Sequence, residues 1–102
     1  MSEKDEKSGS RKLNLQIQLD EEMAQGAYSN LAMVNHTDAE FTLDFIYVQP
    51  QQPKAKVRAR IITSPKHTKR LLKALQENVA KYEDRFGPID ISGPGPQDEF
   101  LH

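Results

Sequence analysis

Three observations in the sequence predict an α+β fold, a four-stranded antiparallel sheet followed by one long C-terminal helix (ββββα). Apolar and polar residues alternate in several short runs, as half-buried strands require. One later stretch switches to helical spacing between a strong start and a strong stop signal. The apolar stripe of that helix is longer than one small sheet needs, which points to completion by a second copy.

The 102 residues allow one domain, expected over residues 11–87. Residues 1–10 are polar and charged beyond Met1, and the end of the chain contains Gly93, Pro94, Gly95 and Pro96 in succession. Such segments bury too little to offset ordering entropy, so disordered tails are expected over 1–10 and 88–102. A folded part of that size is marginal alone, and small domains compensate with disulfides, metals or oligomers. With no cysteine in the chain, disulfides and thiolate metal sites are excluded.

The first strand is expected at Leu13–Leu19, where Leu13, Leu15, Ile17 and Leu19 alternate with Asn14, Gln16 and Gln18. Asp20-Glu21-Glu22 makes a polar break, and Gly26 supports a turn or bulge. Tyr28–Asn35 is the second strand, and His36-Thr37-Asp38-Ala39 a hairpin loop. The third strand holds Phe41, Leu43, Phe45 and Tyr47 on one face, with Thr42, Asp44, Ile46 and Val48 on the other. Pro50-Gln51-Gln52-Pro53 ends it, because proline cannot donate to a ladder. Lys54–Thr63 is the fourth strand, with Val57, Ala59 and Ile61 pointing one way and Lys56, Arg58 and Arg60 the other.

Ser64-Pro65 starts the helix: serine accepts from an orphan amide, and proline lacks the N–H that would be orphaned. Gly87-Pro88 stops it. The roughly 33 Å of helix between them carries a stripe of Leu72, Leu75, Val79, Tyr82 and Phe86, with Leu71 beside it. Four strands about 4.8 Å apart make a sheet only about 15–20 Å wide. A helix crossing it overhangs, so these five residues are expected at a homodimer interface. A helix running along the strands would need no partner.

Charge is segregated along the chain. No lysine or arginine occurs between Leu13 and Pro53, and no aspartate or glutamate between Phe45 and Gln76. Lys54, Lys56, Arg58 and Arg60 lie two apart, so all four side chains are expected on one strand face. Asp44 and Glu40 on the third strand could answer Arg58 or Arg60, whereas Ile46 and Val48 offer nothing to Lys54 and Lys56. Lys66, Lys69, Arg70 and Lys73 crowd the helix start, against the macrodipole preference for acids there. Such an end can hold an anion, or its side chains can project into water or meet the acidic strands.

No catalytic residue and no metal ligand set is expected, and no cofactor or small-molecule substrate is inferred. His36, His67 and His102 lack metal-ligand spacing, no glycine-rich phosphate loop follows a strand, and no nucleophile motif is present. Asp20, Glu21 and Glu22 read as solvated turn residues. With no apolar leader and no span-length apolar run, a non-membrane, cytoplasmic protein is expected.

The stretches Ala27-Tyr28-Ser29-Asn30-Leu31, Phe45-Ile46, Pro53-Lys54-Ala55-Lys56-Val57 and Ser64-Pro65-Lys66-His67-Thr68-Lys69-Arg70-Leu71-Leu72-Lys73-Ala74-Leu75 resemble a small bacterial and archaeal family, domain of unknown function 3467. The resemblance covers Leu13 to Phe86 and is most specific in the run from Lys69 to Leu75. It implies no catalytic residues. Four strands and a helix also resemble the repeat of the PUR and Whirly single-stranded nucleic-acid binders, which pair two repeats and bind on the sheet.

The expected function is therefore a non-enzymatic homodimeric binding module. It would take single-stranded nucleic acid through Lys54, Lys56, Arg58, Arg60, Lys66, Lys69, Arg70 and Lys73. The alternative is an adaptor that docks an acidic protein on the same residues, with Asp98-Glu99-Phe100-Leu101-His102 as a possible linear motif. The net charge of −1 argues against nucleic acid, but twelve basic and nine acidic residues between Arg11 and Phe86 leave that part mildly basic. Base stacking would fall to Tyr28 and Tyr47.

Overall fold

The computed structural model describes residues 14–93. The expected tail over 1–10, and the part of the expected C-terminal tail over 94–102 with its linear motif and His102, lie outside the described residues. Residues 88–92 have no regular structure. The elements run α1 (Glu21–Ala24), β1 (Leu31–His36), β2 (Phe41–Gln49), β3 (Lys54–Thr63) and α2 (Pro65–Phe86). The fold is α+β, with an antiparallel sheet in the order β1-β2-β3 followed by the helix.

Among the described residues the sheet has three strands, not the four expected. Residues 14–19 lie outside it and carry no regular structure. Alternation determines which side chains would share a face, but a strand also needs a ladder partner, and this segment has none among the described residues. The acidic break after it is a single helical turn, α1, and Gly26 turns the chain at φ 76°. The second expected strand begins later, at Leu31, and extends to His36.

β2 is the buried centre. Leu43, Asp44, Ile46 and Val48 are its buried residues, and Val48 is 1% exposed. Its neighbours cover it through the ladder on both sides, Leu43 lying opposite Val34 on β1 and Ile61 on β3. Just before β1, Asn30 extends this pairing with its side chain. Its Nδ2 donates to the Val48 carbonyl at 3.0 Å, and the Val48 amide donates to its Oδ1 at 2.9 Å.

α2 starts as the sequence requires. The Ser64 hydroxyl accepts from the His67 amide at 3.1 Å, and Thr68 Oγ1 donates to the Ser64 carbonyl at 2.8 Å. It ends at Gly87, whose φ of 98° favours glycine. The helix makes little contact with the sheet beyond its root. There Phe41, Pro65, Thr68, Lys69 and Leu72 line an apolar hollow of about 390 Å³. From Lys69 to Tyr82 every residue is exposed. The radius of gyration, 17.8 Å, exceeds the roughly 13 Å of a compact chain of this length.

Candidate functional site

The basic residues of β3 do not form the single stripe that regular alternation predicts. Phe45 lies opposite Ala59, while the next β2 residue, Ile46, lies opposite Val57. Arg58 is therefore an extra residue, a β-bulge, and it resets the alternation. On one side of it Arg60 lies opposite Asp44; on the other, Lys56 lies opposite Tyr47 and Lys54 opposite Gln49. Directly opposed residues share a face, so Arg60 falls on the Asp44 face. Lys54 and Lys56 fall on the Phe45–Tyr47 face.

Arg60 is held there. Its Nε donates to Asp44 Oδ1 at 2.7 Å and its Nη2 to Oδ2 at 2.9 Å, a two-pronged pair. These hydrogen bonds, helped by the guanidinium charge, hold the Asp44 carboxyl below its ordinary range against the opposing effect of burial. The expected answer of Asp44 to a basic residue of the last strand is thus met at Arg60. Arg60 is correspondingly removed from the set of unpaired cations.

Lys54, Lys56 and Arg58 are different. With Tyr47, Gln49 and Ala55 they line a shallow depression of about 160 Å³. Among the described residues no carboxylate lies within ion-pair distance of them. Tyr28 stands beside this patch, edge to face with Tyr47 at a ring separation of 6.0 Å and an angle of 72°. Tyr28 is largely exposed. The structure therefore brings the two tyrosines and three cations to one end of the sheet.

The second basic group is elsewhere. Lys66, Lys69, Arg70 and Lys73 flank Leu72 on α2 and border a depression of about 560 Å³. Lys54 opposes the end of β2 and Thr63 its beginning. The two groups thus sit at opposite ends of β3, with roughly 23 Å of strand between Lys56 and the helix root. The expected interface residues Leu72, Leu75, Val79, Tyr82 and Phe86 all lie on the exposed part of α2.

The remaining polar groups are placed as follows among the described residues. No group of three His, Asp or Glu side chains is placed to hold a metal. His36 stacks on Phe41 at 5.2 Å, and the His67 amide serves the helix cap. Among the described residues no helix is long and apolar enough to cross a membrane. Asn30 is the structurally decisive polar residue that sequence reasoning passed over; an amide before a strand carries no mark that separates it from a loop residue.

The profile of a family described as "Protein of unknown function (DUF3467)" matches residues 1–91. No curated protein and no solved structure matches the chain.

Proposed function

The chain belongs to the DUF3467 family, and we propose that it is a non-enzymatic, homodimeric module that binds single-stranded nucleic acid on the Lys54–Lys56–Arg58 end of its sheet. The observation that carries this reading is the company those cations keep. Three of them, unanswered by carboxylates among the described residues, share a depression with Tyr47, and Tyr28 stands against that ring. Cations track a phosphate backbone, and an exposed ring offers a base a surface to stack on. An acidic protein could meet the same cations, but a tyrosine pair beside them favours bases over carboxylates.

Homodimerisation is part of the proposal. α2 exposes Leu72, Leu75, Val79, Tyr82 and Phe86 along one stripe, and an amphipathic helix is stabilised mainly by burying such a face. Two copies would also present two basic patches to one strand of nucleic acid.

Fluorescence anisotropy with labelled oligothymidylate and oligouridylate tests the site. Micromolar binding at low salt is expected, weakening steeply as salt rises. Lys54→Glu, Lys56→Glu and Arg58→Glu together should abolish it. The milder Lys56→Ala/Arg58→Ala variant should flatten the logarithmic salt slope by about 1.4, from roughly 0.7 per phosphate contact. Tyr28→Ala should weaken binding without changing that slope. Absence of binding at low salt with micromolar protein, or capture of polyglutamate in preference to oligonucleotide, would overturn the proposal.

A further inference from the structure

Residues 14–19 read Asn-Leu-Gln-Ile-Gln-Leu, strict alternation with no charge. Such a pattern describes a strand with one face buried. Yet Leu15, Ile17 and Leu19 are 82%, 85% and 65% exposed. Among the described residues the segment has no backbone hydrogen bond to any strand. A strand pattern without a ladder implies an acceptor edge that a lone chain has not engaged.

Among the described residues the sheet has two open edges, and they differ. The outer edge of β3 carries Lys54, Lys56, Arg58 and Arg60 and a bulge, the devices that keep an edge from pairing. The outer edge of β1, Leu-Ala-Met-Val-Asn-His, has no Lys, Arg, Asp, Glu, proline or bulge. It has six residues, the length of segment 14–19. Met33 and Val34 on it are about half exposed, one on each face by their register with Asp44 and Leu43. An added strand would flank both.

We infer that segment 14–19 of one copy adds to the β1 edge of a second copy, supplying in trans the fourth strand that each sheet lacks. The exchange is reciprocal about a two-fold axis, each copy both donating and accepting. It rests on the homodimer reading above and specifies a contact additional to the α2 stripe. The chain's own geometry favours exchange over folding back. The Ala24 amide donates to the Asp20 carbonyl in α1, Gly26 turns at positive φ, and Asn30 is fastened to Val48. That path delivers the chain into β1 while leaving residues 14–19 off β1's edge. It also leaves the Lys54–Arg58 face uncovered.

The absence of cysteine makes cross-linking a clean test. Full-length chains carrying Leu15→Cys, Ile17→Cys or Leu19→Cys are each mixed, allowed to exchange subunits, and oxidised with chains carrying Met33→Cys or Val34→Cys. Together these positions cover the registers and both faces. A disulfide-linked pair joining one donor cysteine to one β1 cysteine is expected in at least one mixture. The corresponding double variant should give covalent dimers. An internally closed monomer from the double variant would show folding back and overturn the proposal. Linkage of Val34→Cys or Met33→Cys chains to themselves, without donor linkage, would show β1 pairing with β1 and also overturn it. Sedimentation of the unaltered protein separates the two readings. A dimer with no donor linkage in any register removes strand exchange and leaves the homodimer, whereas a monomer removes both.

Discussion

Asp44 is the buried carboxylate of the sheet, and the Arg60 guanidinium defines its chemistry. Its position opposite a basic residue was legible, because antiparallel pairing brings β2 and β3 side chains into register. The choice between Arg58 and Arg60 as its partner was not, because the sequence continues the Lys-x-Lys-x-Arg-x-Arg alternation straight through the bulge. Any residue type can occupy the extra position, so Arg58 bears no mark of it. The pair has a consequence for pH. The native carboxyl titrates below its ordinary value, so folding is favoured by this group above the unfolded value near 3.9. That contribution is lost as pH falls through the lowered native value. Denaturant unfolding followed from neutral pH into strong acid should therefore show a loss of stability that Asp44→Asn lacks. An identical acid dependence in wild type and Asp44→Asn would refute the assignment.

At the scale of elements, β2, β3 and α2 were readable because punctuation brackets them: prolines between the strands, Ser64-Pro65 before the helix, Gly87-Pro88 after it. α1 was not, since one turn is too short to display a period. β1 begins three residues later than composition suggests, because Tyr28-Ser29-Asn30 suits a strand by residue type while Asn30 serves instead as a side-chain extension of the ladder. Its amide completes both backbone groups of Val48, the most buried residue of the sheet. Asn30→Ala removes two hydrogen bonds and leaves buried polar groups without partners. The expected cost is about 1–3 kcal/mol, measured as a shift in the urea midpoint with little change in slope. Asn30→Asp restores the acceptor but not the donor and should fall between the two. A change of under about 0.5 kcal/mol for Asn30→Ala would mean that the clamp does not hold β1 to β2.

For the whole molecule, the information missing from the sequence concerns partners. Hydrophobic spacing identified the α2 stripe and the 14–19 alternation equally well, but neither states what covers it. The charges of α2 bear on that question. Lys66, Lys69, Arg70 and Lys73 occupy its first half with no acid among them, whereas the second half holds Glu77, Glu83 and Asp84 beside Lys81 and Arg85. Two helices packed antiparallel set the basic half of one against the acidic residues of the other; packed parallel, they align like charges. A reversed macrodipole pattern costs an isolated helix a few tenths of a kcal/mol to about 1 per group, and an antiparallel partner offsets it. In the proposed homodimer the protein therefore sediments at twice the 11.6 kDa of one chain, and its melting temperature rises with protein concentration. Leu75→Glu with Val79→Glu places charges in the middle of the stripe and should yield monomers. Their circular dichroism should lose helical signal, because most of the stability of an amphipathic helix comes from packing its apolar face. Leu75→Met, which keeps the volume and polarity of the stripe, should remain dimeric. Wild-type protein that sediments as a single chain at tens of micromolar, or a charged variant that keeps both its mass and its helicity, would remove α2 from the interface.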